Sequence, residues 1–297
     1  MTTDCRVKVI GAGLAGCEAA LQLAQNGVAV DLYEMRPNKT TGAHSTQNPA
    51  EFVCSNSLGS IDPTNASGLL KQEMSILGSF LIQVAHEVKV PAGNALAIDR
   101  ELFSQKVEQL LQEHNINIIR EEVKTIPQKG PVILASGPLT SADLAEDIKS
   151  FTGSEHLHFF DAIAPIVEKD SINFDKAFYA SRYDKGEASY INCPMNKEEY
   201  ENFYRILTTA PKIELKEFEK DAKFFESCLP IEVLASRGVD TLRFGPMKPV
   251  GLVDKRTGVE NYAVVQLRQD NRSATMYNLV GFQTNLKWGS QKELLQA

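Results

Sequence analysis

Apolar positions along the chain follow two regimes. In the first, short apolar runs alternate with stretches of helical period. Val7–Ile10 is a strand-length run, and Leu14, Ala15, Ala19, Leu21, Leu23 and Ala24 then recur with the period of a helix over 14–26, ending on Asn26-Gly27, a C-terminal cap signal. A second strand is expected at Val28–Tyr33. Residues 35–65 are rich in Pro, Asn, Thr, Ser and Gly without period, and a loop of that length in a compact domain is usually functional or disordered. One helix is predicted near Ala66–Val84, with Leu69, Leu70, Met74, Leu77, Phe80 and Leu81 on one stripe. Asp99 caps another that runs to about Glu113 on Leu102, Phe103, Val107, Leu110 and Leu111. Strands near Ile116–Arg120, Val123–Ile126 and Val132–Gly137 precede a helix at 141–151.

Beyond about residue 156 the pattern changes. Short strands at Tyr190–Asn192, Leu242–Phe244, Tyr262–Leu267 and Met276–Phe282 surround one helix at about 196–209. The expected fold class is therefore α/β, with a Rossmann-like domain over 1–155 and an α+β substrate domain over 156–297.

The glycines sharpen this picture. Gly11, Gly13 and Gly16 have the Gly-x-Gly-x-x-Gly spacing between a strand and a helix, and Glu34 ends the second strand. Gly11 permits the tight turn, Gly13 lets backbone approach a pyrophosphate, and Gly16 packs helix on strand. The helix N-terminus faces the phosphates and Glu34 can hold a ribose hydroxyl. The spacing alone is weak evidence, but its strand, helix and acid context is complete in this chain, so dinucleotide binding is preferred over a ligand-free glycine turn. The small residues ending Val132–Gly137 let a cofactor pass over the sheet edge.

Composition narrows the class. Of 297 residues 43% are hydrophobic, enough for a real core, and no apolar stretch approaches membrane-spanning length. Met1 to Arg6 is polar, so no signal peptide is expected. Five scattered cysteines without a Cys-x-x-Cys pair argue against a zinc site or a disulfide framework and fit a reducing cytoplasm. The net charge of −7 is uneven: residues 1–204 carry 17 basic against 27 acidic residues, whereas 205–297 carry 14 against 11. The net charge alone argues against a nucleic-acid binder, whereas the basic C-terminal third could meet a polyanion, although charge runs usually just solvate a surface.

Cys54 and Cys228 lie in polar, turn-rich contexts, where a thiolate could act as nucleophile. A lone cysteine is nevertheless more often an inert small hydrophobe, and Cys5, Cys17 and Cys193 are expected to be of that kind. His44, in the long loop, is the one histidine with a plausible ligand-side position, although a structural role is the commoner reading for it. Arg243, Lys248, Arg268, Arg272 and Lys287 are candidate phosphate contacts, though each taken singly reads as a solvated charge.

Several longer strings carry a resemblance. They include Val9-Ile-Gly-Ala-Gly-Leu-Ala-Gly16, Leu32-Tyr-Glu-Met-Arg-Pro37, Val53-Cys-Ser-Asn-Ser-Leu58, Val90-Pro-Ala-Gly93 with Ala97-Ile-Asp-Arg100, and Ser136-Gly-Pro-Leu-Thr140. Others are Ala164-Pro-Ile-Val-Glu-Lys-Asp170, Leu215-Lys-Glu-Phe-Glu219, Phe244-Gly-Pro-Met-Lys-Pro-Val-Gly251, Val265-Gln-Leu-Arg-Gln-Asp270 and Gly281-Phe-Gln-Thr284. Through most of its length the chain resembles the folate- and FAD-dependent tRNA (uracil-5-)-methyltransferase family, TrmFO.

The resemblance implies FAD along Gly11, Ala12, Gly13, Leu14, Ala15 and Gly16, with Glu34, Arg36, Ser136 and Gly137 beside it. It implies methylenetetrahydrofolate as carbon source, NAD(P)H as reductant and C5 of a T-loop uridine in tRNA as acceptor, with no membrane and no metal. Cys228 matches the sulfur that adds to uracil C6, and Cys54 the second cysteine, near the flavin and the C5 proton. Members usually continue for another hundred-odd residues, which return to the first domain and contact the flavin. Asn285, Gly59 and Ser45 stand where a folate-stacking histidine, an arginine and a second histidine are frequent. Open alternatives are an inactive remnant or RNA-binding fragment, a paralogue acting on ribosomal RNA, and another flavin oxidoreductase.

Overall fold

The computed structural model describes residues 6–153, 164–184, 187–213 and 229–296. The chain forms two compact units. One gathers the described residues up to 53 with 61–88 and 99–153; the other gathers 54–60, 89–98 and the described residues from 164 onward.

The first unit is built on a four-stranded parallel sheet in the order Ile118–Ile119, Val30–Tyr33, Val7–Ile10, Val132–Leu134. Val7–Ile10 pairs with Val30–Tyr33 on one side and Val132–Leu134 on the other, so the strand order reverses about it. A crevice for a ligand opens at the carboxyl end of such a strand. Helix Leu14–Gln25 follows directly and buries Gly16, Cys17, Ala20 and Leu21. Helix Arg100–Glu113 starts on Asp99, whose carboxylate accepts from Leu102 N, and buries Phe103, Val107 and Leu111.

Two expectations change in this unit. The helix predicted over 66–84 is two helices, Ala66–Ile76 and Phe80–Glu87. Gly78 at φ 77° turns the chain left-handed, and Ser79 opens the second helix by accepting from Ile82 N. The Glu18 carboxylate takes the Phe80 and Leu81 amides as well. The break splits the supposed stripe, leaving Leu69, Leu70 and Leu77 exposed while Leu81 is buried. Val123–Ile126 is no strand, because Ile126 N donates to the Asp147 side chain rather than to a neighbouring strand.

The second unit holds a five-stranded antiparallel sheet in the order Ile166–Glu168, Met276–Leu279, Ala263–Gln269, Tyr190–Met195, Phe178–Ala180. A three-stranded sheet of Ser57–Ser60, Ala95–Ile98 and Lys89–Val90 belongs to the same unit. One face of the larger sheet packs Ile191, Leu267 and Leu279 into a core with Tyr200, Phe203 and Leu207 of helix Lys197–Thr209. Its alternate residues form a polar stripe: Asn192 faces Gln266 across one strand pair, and Arg268 faces Asn278 across the next. Leu242–Phe244, expected as a strand, lies in a single helical turn, Thr241–Phe244, led in by Asp240.

Candidate functional site

The turn after the first strand shows which glycines serve the fold and which serve a ligand. Gly11 has φ 101°, and a Cβ there would stand 2.7 Å from Ala135 O. A Cβ on Gly16 would stand 1.8 Å from the backbone oxygen of Gly11, so helix and turn touch there only because residue 16 is glycine. A Cβ on Gly13 would meet nothing within 4 Å. Gly13 is the N-cap of its helix at φ −77°, and no side chain caps that end. Neither backbone strain nor a protein neighbour calls for glycine at 13, which leaves room for a ligand's phosphates.

Gly13 opens into a cleft, part of it open to solvent, lined among others by Gly11, Tyr33, Glu34, Arg36, His44, Ser136 and Thr140. Of the sequence-predicted residues, Gly11, Gly13, Glu34, Arg36 and Ser136 therefore share its wall, whereas Ala12, Leu14, Ala15, Gly16 and Gly137 do not line it. Ala12 acts from behind: its amide donates to Glu34 Oε2 at 3.2 Å. Ser136 Oγ accepts from Thr140 at 2.7 Å, and Thr140 itself escaped the residue-by-residue reading because a lone threonine carries no signal.

Glu34 and Arg36 form the electrostatic centre of this wall. Arg36 is 2% exposed, and its Nε donates to Glu34 Oε1 at 2.9 Å while Nη1 donates to Glu51 Oε2 at 2.8 Å. Burial alone would raise the Glu34 carboxyl, but the Arg36 side chain and amide hold it below the usual range. Glu51 is likewise lowered against its burial, by the Ser45 amide and the Thr46 and Ser45 hydroxyls. Burial first, and then Arg36, depress the His44 imidazole, whose Nδ1 lies 2.7 Å from Thr41 Oγ1. His44 thus presents a neutral ring at the cleft wall.

Removing the guanidinium would strand two carboxylates. Arg36→Met is expected to destabilise the first unit by about 3–5 kcal/mol near neutral pH. Both carboxyls are depressed, so their stabilisation exists above the unfolded-state value of about 4.3 and is lost as pH falls through the folded values. The gap between wild type and variant should therefore narrow in acid, which urea midpoints taken across that range would measure.

The cysteines separate clearly. Cys17 is fully buried, donates to Ala12 O at 3.3 Å, and is pushed up to about 12 by burial and by Glu34. Burial raises Cys193 to about 11. Both are inert thiols, as expected. Cys228 and Cys5 lie outside the described residues. Cys54 is half-buried in the second unit, and Gln283 Nε2 donates to its sulfur at 3.5 Å.

Two residues on, Asn56 is wholly buried and fully engaged. Its Nδ2 donates to Ile98 O and Gln269 O, and its Oδ1 accepts from Arg268 Nε and Asn278 Nδ2, all at 2.9 Å. Arg268, a candidate phosphate contact from sequence, is instead 7% exposed and spent inside this network, reaching Ser55 Oγ at 2.7 Å as well. Arg243 stacks over the Tyr262 ring and pairs with Asp240. Lys248, Arg272 and Lys287 are exposed, as a phosphate contact requires.

Comparison with known proteins agrees with this architecture. The family model described as glucose inhibited division protein A matches residues 6–297. A protein of Halalkalibacterium halodurans named methylenetetrahydrofolate–tRNA-(uracil-5-)-methyltransferase TrmFO is 58% identical over 291 residues, covering 98% of this chain and 66% of that protein. The namesake of Bacillus cereus is 58% identical over 297 residues, covering 100% and 68%. Among solved structures, GidA of Aquifex aeolicus superposes with a TM-score of 0.60 at 15% identity, over 97% of this chain and 52% of that one, a likeness of fold. The chain spans about two-thirds of the length of the curated relatives it matches. Family model, whole-chain identity and the glycine turn converge: the chain belongs to the TrmFO/GidA family.

Proposed function

We propose that this chain takes part in FAD-dependent methylation of uridine C5 in the T loop of tRNA, at position 54 of the tRNA, with methylenetetrahydrofolate as carbon source and NAD(P)H as reductant, in the cytoplasm. The observation that carries it is the open space off Gly13 at the switch point of a parallel sheet, in a chain 58% identical to proteins named for that reaction. The parallel-sheet unit is assigned to the cofactor, and the antiparallel unit to the RNA.

The residues present fit a dinucleotide. The Gly11–Gly16 turn would hold its pyrophosphate at the helix end that no side chain caps. Glu34 with Arg36 would serve its ribose, and Ser136 belongs to the same wall. When bound, FAD supplies the redox and one-carbon carrier chemistry.

The protein's part in the reaction is to make a poor nucleophile competent. The Cys228 sulfur adds to C6 of the uracil ring, and the C5–C6 π electrons move onto the C4 carbonyl as an enolate. C5 then attacks the carbon unit and loses its proton to a base on the side of Cys54, the S–C6 bond breaks to restore the ring, and the bond from that carbon to its carrier would be cleaved with two electrons drawn from NAD(P)H, which bring the methylene to methyl level. The target base must leave its stack first, so recognition falls on loop shape and phosphates, which the exposed Lys248, Arg272 and Lys287 would meet. The test is incubation of the chain with FAD, NADPH, labelled methylenetetrahydrofolate and a T-loop transcript, followed by nucleoside analysis. Label in 5-methyluridine is the expected result, and transcript without label overturns the reading.

A further inference from the structure

The contact of Gln283 with Cys54 is built from both sides. Gln283 is 8% exposed, and its carbonyl accepts from Ile231 N at 2.7 Å. The next two residues are anchored on the buried carboxylate of Glu232: Thr284 Oγ1 donates to Oε2 at 2.9 Å and Asn285 N to Oε1 at 2.8 Å. Ile231 and Glu232 are the third and fourth residues after Cys228, so the segment carrying the donor is tied to the chain that follows the second candidate cysteine.

On the other side, Cys54 opens the segment fixed by Asn56. That amide has donors and acceptors satisfied by Ile98, Gln269, Arg268 and Asn278, and Asn278 Nδ2 continues to Asp270 Oδ1 at 3.0 Å. Arg268 reaches Ser55 Oγ, next to the cysteine. The charged groups that these hydrogen bonds bring near the pair include Arg268 beside Ser55, Asp270 behind Asn278, and Glu232 behind Thr284. Among these contacts, the group that meets the sulfur itself is the Gln283 amide, which does not titrate.

A neutral thiol is a weak acceptor, whereas a thiolate takes an N–H bond roughly twice as strong. A donor held in place by its neighbours thus favours the charged sulfur over the neutral one. We propose that Gln283 is a positioning residue for Cys54, fixing its sulfur and stabilising the thiolate through the Nε2 hydrogen. The inference rests on Cys54 acting in the reaction proposed above, and it gives a role to a residue that in the sequence is only one letter of a family string.

Cys54 alkylation by iodoacetamide, followed by mass analysis of its peptide across roughly pH 6 to 10, reads the thiolate directly. Gln283→Leu should raise the apparent Cys54 pKa by about half to one unit, slowing alkylation near neutrality about three- to tenfold. Gln283→Glu, close in shape, should raise it further by placing a like charge on the sulfur. Cys193 should stay protected in both, which confirms that the unit is folded. Cys54 profiles that superpose on wild type in the Glu variant overturn the assignment, even if the Leu variant fails to fold. A chain that shows the shift but transfers no methyl overturns the reaction and leaves the Gln283 assignment standing.

Discussion

Gly13→Val should fold like the wild-type protein and bind FAD on the order of a hundredfold more weakly, about 2.7 kcal/mol of binding free energy. The side chain meets no protein atom, and φ −77° suits any residue, so the melting temperature should hardly move. Its methyls would nevertheless fill the space through which a pyrophosphate approaches the helix end. Gly16→Val, three residues away, should do the opposite kind of damage. Its Cβ would stand 1.8 Å from Gly11 O, closer than any real contact, and the surrounding turn is backbone that cannot rotate aside. That variant is expected to lose the parallel-sheet unit itself. Flavin fluorescence titration with circular dichroism melts distinguishes the two. Equal loss of fold at both positions, or unchanged FAD affinity in Gly13→Val, would contradict the division of labour within the turn.

Cys228→Ala should abolish methyl transfer, by on the order of 10⁴-fold or more, as expected when a covalent nucleophile is removed. FAD uptake and tRNA binding should persist, since the cleft assigned to the cofactor is lined by residues of the parallel-sheet unit and the phosphate contacts proposed above fall on other side chains. Without the sulfur adduct, C5 of uracil has no enolate from which to attack. Single-turnover assays with saturating transcript would isolate this step from binding. A Cys228→Ala protein that methylates at the wild-type rate would remove the sulfur from the mechanism.

The parts of this molecule that were legible in its sequence are those set by local rules. The Gly11–Gly16 turn was readable because its glycine spacing between a strand and a helix is a local pattern, and Asp99 because a cap acts three residues ahead. The helix at 66–84 was misjudged as one because its apolar residues keep helical spacing across the break. Leu77-Gly-Ser79 carried the signal of a left-handed cap followed by a new N-cap. Strands Ser57–Ser60, Lys89–Val90 and Ala95–Ile98 are two to four residues long, too short for a period to show.

What lay beyond sequence reading was pairing over distance. Arg268 looked like a phosphate ligand until its partner Asn56, 212 residues away, enclosed it. Arg36 gives no hint along the chain that it will be buried between Glu34 and Glu51. Gln283 is unremarkable as a residue and acquires meaning only from Cys54, 229 residues earlier.

The central claim, substitution at C5 through a sulfur adduct at C6, can be followed at the one hydrogen that must leave. A T-loop transcript made with uridine tritiated at C5 should release tritium to water in step with methyl gain, and Cys228→Ala should release none. Methyl gain with the tritium retained, or tritium release undiminished in the variant, would contradict it.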